Sequence, residues 1–163
     1  MSEILIRPAT EADIPAIREI GELAWTPVFE EFRRRLGDEL YRLTQPGGIK
    51  AKPDALESFV RQVPDRTFVT EIAGRVVAFA TWNPVRDVPG LAELSNNAVH
   101  PDFQSRGIAR RQYLHLFDEM RRLGYKYVRV TTGLDDAHTP ARKAYEAVGF
   151  ERNLPTVTYH REL

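Results

Sequence analysis

The sequence predicts an α/β fold of the α+β type, with helices flanking a central sheet that is mostly antiparallel. Two observations carry this. Apolar residues recur at helical spacing from Ile14 to Val63, and from Thr67 onward they take up strand patterning. A strand-like run, Leu91 to Val99, then feeds a glycine-containing turn and a helix reaching about Leu123. The length of 163 residues suits a single domain over residues 1–163 with a sizeable core.

Ile4 to Arg7 reads as a short strand. Thr10 is the expected N-cap of the first helix, with Asp13 in the capping-box position. Ile14, Ile17, Ile20 and Ala24 follow at helical spacing to about Trp25, where Pro27 is expected to break the helix. A second helix is predicted over Val28 to Leu43, with Phe29, Phe32, Leu36 and Leu40 on one side. Gln45-Pro46-Gly47-Gly48 is a loop, and Pro53 suits the first turn of a short helix ending near Val63.

Thr67 to Ile72 and Arg75 to Trp82 form a predicted hairpin across Ala73-Gly74. Its apolar residues face both ways, as in a central strand covered on two sides. Asn83-Pro84 and Pro89-Gly90 bracket a loop before the strand Leu91 to Val99. Ala109, Tyr113, Leu116, Phe117 and Met120 mark the buried stripe of the next helix, which stops at Gly124. Tyr127 to Thr132 is a strand. Pro140 to Val148 is a short helix ended by Gly149, and Phe150 to Arg152 and Thr156 to Glu162 read as closing strands.

Composition narrows the function classes. The 23 basic and 23 acidic side chains cancel, so no global field argues for nucleic acid or an anionic membrane. The absence of cysteine removes disulfides, thiolate metal sites and a cysteine nucleophile. The four histidines show no metal-ligand spacing, so no metal is expected, and His100 before Pro101 reads as a turn residue. Met1-Ser2-Glu3-Ile4 lacks the basic and apolar regions of a signal peptide, and no apolar run would span a bilayer. A cytoplasmic protein is the expectation. Arg33-Arg34-Arg35 reads as a solvated helix face.

The richest stretch is Gln104-Ser105-Arg106-Gly107-Ile108-Ala109. A strand feeding a turn and a helix start gathers free backbone N–H groups at the positive end of a helix dipole, which is an anion site. Gly107 lets a phosphate approach the main chain, with Gln104, Arg106 and Arg110 as further donors. This pattern resembles the pyrophosphate-binding motif of the GNAT superfamily of acyl-CoA-dependent N-acyltransferases. A second block, from Pro140 to Phe150, is similar to the family stretch Asn-x-x-Ala-x-x-x-Tyr-x-x-x-Gly-Phe beside the pantetheine arm. Ala141, Tyr145, Gly149 and Phe150 fall on its positions, and His138 stands where the family has Asn. The element order also matches the family's topology, a mixed, mostly antiparallel sheet, over nearly the whole chain.

The resemblance implies attack of an amine on the thioester of acetyl-CoA. The amine must be neutral, and an alkylammonium costs about 4.6 kcal/mol to deprotonate at pH 7. It also implies donors for an oxyanion and an acid for the leaving thiolate. Glu93 is the candidate base, against its reading as a solvent-facing strand residue. Tyr145 is the candidate acid, against its reading as a core tyrosine. A backbone N–H of Ala98 or Val99 is the expected oxyanion donor. Ser105, Ile108 and Ala109 complete the turn at the phosphates, and His138 and Ala141 are expected along the pantetheine. Ser95, Asn96 and Asn97 break the apolar alternation, which is read as a bulge or splayed strand pair, or as the polar mouth of a cleft. Trp25, Phe29, Phe32 and the 83–90 loop wall the acceptor side by resemblance, where Glu30, Glu31 and Asp87 would favour a cationic amine.

A small-molecule amine is the leading acceptor. A peptide N-terminus, a protein lysine and a non-catalytic acyl-CoA sensor are the alternatives. A homodimer is expected from the family's habits.

Overall fold

The computed structural model describes residues 3–163, so Met1 and Ser2 of the N-terminal stretch lie outside it. Five strands, β1 (Ile4–Pro8), β2 (Thr67–Ile72), β3 (Arg75–Pro84), β4 (Leu91–Val99) and β5 (Tyr127–Val130), form one sheet in sequence order. Every pairing is antiparallel except β4 with β5, which is parallel, so the mixed sheet read from the sequence is observed. Four helices flank it: α1 (Ile14–Thr44), α2 (Gly48–Gln62), α3 (Ile108–Arg122) and α4 (Thr139–Glu146).

The two sheet faces bury different clusters. One face packs Val69 and Phe79 against Ile14, Ile17 and Ile20 of α1 and Leu56 and Val60 of α2. The other packs Ala80, Trp82, Ala92 and Leu94 against Tyr113, Leu116 and Phe117 of α3 and Tyr145 of α4. Phe79 has no exposed surface, and burying such a side chain contributes about 1.5–3 kcal/mol.

Three sequence expectations are corrected. The first helix does not end near Trp25, because α1 continues through Pro27 as far as Thr44. Pro27 is exposed, so the carbonyl it leaves without a donor can face water. The break falls instead at Gly37, whose φ of 73° and ψ of 165° lie where other residues are strained. The α2 helix begins at Gly48 rather than near Pro53. Finally, 150–152 and 156–162 are not strands. Residues 151–163 are exposed throughout and pair with no strand. Alternation alone does not make a strand when no neighbouring edge takes up its backbone groups.

The Thr10 cap forms, although its first turn is a 3-10 turn, Glu11–Asp13. Thr10 N–H donates to Asp13 Oδ2 at 2.7 Å, and Arg7 clamps both Asp13 oxygens at 2.8 Å. The Arg7 hydrogen bonds, outweighing burial, hold the Asp13 carboxyl down at about 2. A carboxylate depressed in the folded state stabilises fully above its unfolded value and loses that contribution as pH falls through its folded value. Asp13 should therefore contribute about 2 kcal/mol at neutral pH, lost between about pH 4 and 2. Urea melts of wild type and Asp13→Asn should converge across that window. A constant gap down to pH 2 would refute the assignment.

Candidate active site

The site begins where β5 stops. Leu91 to Leu94 of β4 pair with Tyr127 to Val130, and beyond Leu94 the fourth strand runs on to Val99 without a partner on that side. Its register against β3 also shifts, between Ala80 facing Asn97 and Trp82 facing Leu94. The reading of Ser95 to Asn97 as a bulge or splayed strand pair is thus observed.

Strand alternation turns Asn96 and Asn97 to opposite faces. Asn97 points toward α3 and α4, where Tyr113 donates to its Oδ1 at 2.5 Å. The Tyr145 hydroxyl lies 3.1 Å from Asn97 Nδ2, which also donates to the Ser95 carbonyl at 3.1 Å. Burial pushes the Tyr145 hydroxyl above the usual phenol value, partly offset by its bonds with Asn97 and Tyr113. Burial thus favours its protonated form. Asn96 points the other way, where Lys52 Nζ donates to its Oδ1 at 2.8 Å and sits 4.0 Å above the Trp25 ring.

Backbone direction separates the two candidate oxyanion donors. Asn96 N–H donates to Thr81 Oγ1 and His100 N–H to the Val77 carbonyl, both toward β3. Alternation then turns the Ala98 N–H toward β3 and the Val99 N–H into the gap that β5 leaves.

The turn after β4 has the predicted form. Ser105 at φ 60° and Gly107 at φ 74° are left-handed, and Gly107 caps α3 without a side-chain bond. The N–H groups of Ser105, Arg106 and Gly107 meet no acceptor among the described residues. A Cβ built at Gly107 would point into open space, so the main chain there is accessible. Ile108 is buried beneath the turn and Ala109 half-buried, which anchors the helix start. The predicted side-chain donors are less free. Gln104 donates to the Val99 carbonyl at 3.2 Å, and Arg106 to the Asp102 carbonyl at 2.7 Å while covering the Phe103 ring. Arg110 is exposed.

His138 is held by Asp135, Nδ1 to Oδ2, at 2.7 Å, and its ring lies 6.1 Å from that of Phe32. Ala141 is half-buried on the next turn. Thr132 Oγ1, just past β5, is buried without a partner. Unpaired main-chain donors at the turn and an unpaired hydroxyl beside the gap are features that a phosphate-bearing, amide-bearing cofactor would satisfy.

Glu93 does not stand alone. Arg129 donates to its Oε2 from Nη2 at 2.6 Å and from Nε at 2.9 Å. On the α1 side, Trp25 stacks on Phe79, and Phe29 meets Phe32 edge-on at 6.0 Å. Glu31, expected to attract a cation, is already bound by Arg34 and Arg35. Arg33 pairs with Asp38, so the arginine run is a solvated helix face as read. His100 caps the 3-10 turn Pro101–Phe103, accepting from Asp102 N–H at 3.2 Å.

The sequence reading missed Lys52, Asn97, Tyr113 and Asp135. Lys52 had a signal, because it falls four residues before Leu56 on the apolar stripe of α2. Asn97 had one too, as the last of the three polar residues between Leu94 and Ala98.

Among solved structures, a protein of the GNAT family from Desulfovibrio desulfuricans superposes with a TM-score of 0.71 at 17% identity, over 93% of this chain and 87% of that one. The aminoglycoside N-acetyltransferase AAC(6')-Iy in complex with CoA gives 0.66 at 18%, over 100% and 97%. A GNAT acetyltransferase from Brucella melitensis in complex with acetyl-CoA gives 0.62 at 19%, over 98% and 97%. None of the curated proteins compared matches the sequence. The sequence model of the acetyltransferase (GNAT) family matches residues 19–150, which include the whole strand–turn–helix unit and the α4 block. The chain belongs to the acetyltransferase (GNAT) family and is an acetyl-CoA-dependent N-acetyltransferase.

Proposed function

We propose that this chain, acting as one domain over residues 1–163, acetylates the primary amine of a small molecule by direct attack. The observation that carries the reading is the gap beside β4, with the Tyr145 hydroxyl on one face of the strand and the Trp25 wall on the other. Acetyl-CoA, when bound, supplies an acetyl group activated as a thioester. The N–H groups of residues 105–110 hold its phosphates, with Gln104, Arg106 and Arg110 at the rim. His138 and Ala141 line the pantetheine.

Val99 N–H is the donor for the carbonyl oxygen, in preference to Ala98, since it faces the gap. Tyr145 delivers a proton to the departing sulfur. Its oxygen accepts from Asn97 Nδ2, and its proton rests on Asn97 Oδ1 at 3.2 Å, an acceptor that Tyr113 also serves, so the proton can turn to the sulfur without stranding that oxygen. Glu93 takes the amine proton, oriented by Arg129. Trp25 and Phe29 wall the acceptor. AAC(6')-Iy, solved with a bisubstrate analogue of CoA and acetylneamine, supports a small-molecule acceptor.

Two copies are proposed to pair through the C-terminal segment, in which Leu154, Val157 and Tyr159 are exposed. No helix of the described residues is long and apolar enough to cross a membrane, in keeping with a proposed cytoplasmic location.

An amine panel with acetyl-CoA, followed by free-thiol release, tests the activity. Within it, Glu93→Gln should slow the reaction at neutral pH and recover as pH rises toward the amine's own pKa. Profiles of the same shape for wild type and variant would assign the proton to another group or to water.

A further inference from the structure

Lys52 is a cation on a buried stripe. It lies on α2 beside Pro53, four residues before Leu56 and eight before Val60, all three buried. Its ammonium has three hydrogens to satisfy. Asn96 Oδ1 takes one at 2.8 Å, and the Trp25 ring presents its face at 4.0 Å. No carboxylate pairs with it among the described residues. The acids of its own helix are committed elsewhere, Asp54 to Arg18 and Glu57 to Arg18 and Arg61. A half-desolvated ammonium without a counter-ion is a costly arrangement, and an anion beside it removes the cost.

Its position gives that anion a role. Asn96 and Asn97 are consecutive on β4, at and just after the bulge, and point to opposite faces. Asn97 holds the Tyr145 hydroxyl, so Lys52 sits across the strand from the group proposed to protonate the sulfur. That is the face walled by Trp25, on the acceptor side.

We infer that Lys52 anchors a carboxylate on the acceptor, so that the substrate is an amine of the amino-acid type rather than a simple amine or a polycation. This rests on the acetyl transfer proposed above. The single positive charge matches a monoanion. A polycationic acceptor would instead bring like charge against an ammonium that Asn96 and Trp25 hold in place. Burial draws the Lys52 ammonium down to about 8, so at neutral pH it is still mostly charged and available to an anion.

The test compares amino acids with their amides and with the matching decarboxylated amines, at saturating acetyl-CoA and pH 7. The carboxylated member of each set should have a kcat/KM higher by about tenfold or more, the worth of one charge-assisted hydrogen bond. Lys52→Met should bring that ratio close to one through KM for the acceptor, with KM for acetyl-CoA unchanged. Lys52→Arg should keep the preference. If Lys52→Met does not fold, wild-type selectivity and Lys52→Arg still decide.

Preference for amides, simple amines or polycations would overturn the inference and leave acetyl transfer standing. An equal loss on all acceptors in Lys52→Met would overturn it as well. Calorimetry on the CoA complex separates the two readings. Lys52-dependent binding of amino acids without thiol release would support the anchor and defeat the proposed reaction.

Discussion

Tyr145→Phe should lower turnover by about 10²-fold or more, the usual share of a positioned acid, while leaving acetyl-CoA affinity within about 1 kcal/mol. The side chain is 7% exposed and packs against Tyr113 and Phe150 at 5.5 and 5.8 Å, contacts that a phenylalanine ring keeps. Removing the hydroxyl costs Asn97 one Nδ2 hydrogen bond, while Nδ2 keeps the Ser95 carbonyl and Oδ1 keeps the Tyr113 hydroxyl. Melting temperature should therefore fall by only about 2–4 °C, the shift that about 1 kcal/mol produces. An acyl donor with a more acidic thiol needs less protonation and should restore part of the rate. A purely structural tyrosine predicts the opposite pattern, with stability falling and the rate of the folded fraction intact. Single-turnover rate and melting temperature on one preparation separate the two. Full activity in a stable variant would remove Tyr145 from the mechanism.

Gly107→Val should weaken CoA binding by roughly 3 kcal/mol, about 10²-fold in Kd. Two causes act at this residue and can be told apart. A φ of 74° strains a side-chain-bearing residue by about 1–2 kcal/mol, which lowers stability with or without cofactor. The second cause is the side chain itself, which projects into open space where a phosphate must approach the main chain. Gly107→Asn tolerates the left-handed conformation better but still adds a side chain. It should recover most of the stability and little of the affinity. Titration calorimetry showing wild-type affinity in a folded Gly107→Val protein would remove the turn as the main phosphate site.

Much of this was legible because the signals are local. Leu91 to Val99 forms the predicted strand, and the turn that opens α3 at Ile108 follows from a glycine at a helix N-cap. The capping pair Thr10 and Asp13 was readable for the same reason, since a cap involves only residues three apart. Even the bulge left a mark, as three consecutive polar residues, Ser95 to Asn97, that break the alternation of the strand. The resemblance to a known family then supplied the chemistry that local pattern could not.

What depended on distant contacts was not legible. Pro27 reads as a helix breaker because it lacks a donor, yet packing of α1 against α2 and the sheet carries the helix past it, and Gly37 takes the break. Residues 156–162 alternate like a strand, but a strand needs a partner edge, and none is offered to them within the described chain. The partners of the site residues follow the same rule. Glu93 meets Arg129, Tyr145 meets Asn97 and Tyr113, and Lys52 meets Asn96 and Trp25, each across elements far apart in sequence. The sequence by itself determined which residue types and turns the site would use, because those choices are set by local backbone and side-chain chemistry. Only the tertiary structure decided which charges are neutralised and which amide holds the Tyr145 hydroxyl, because those depend on distances that packing alone creates.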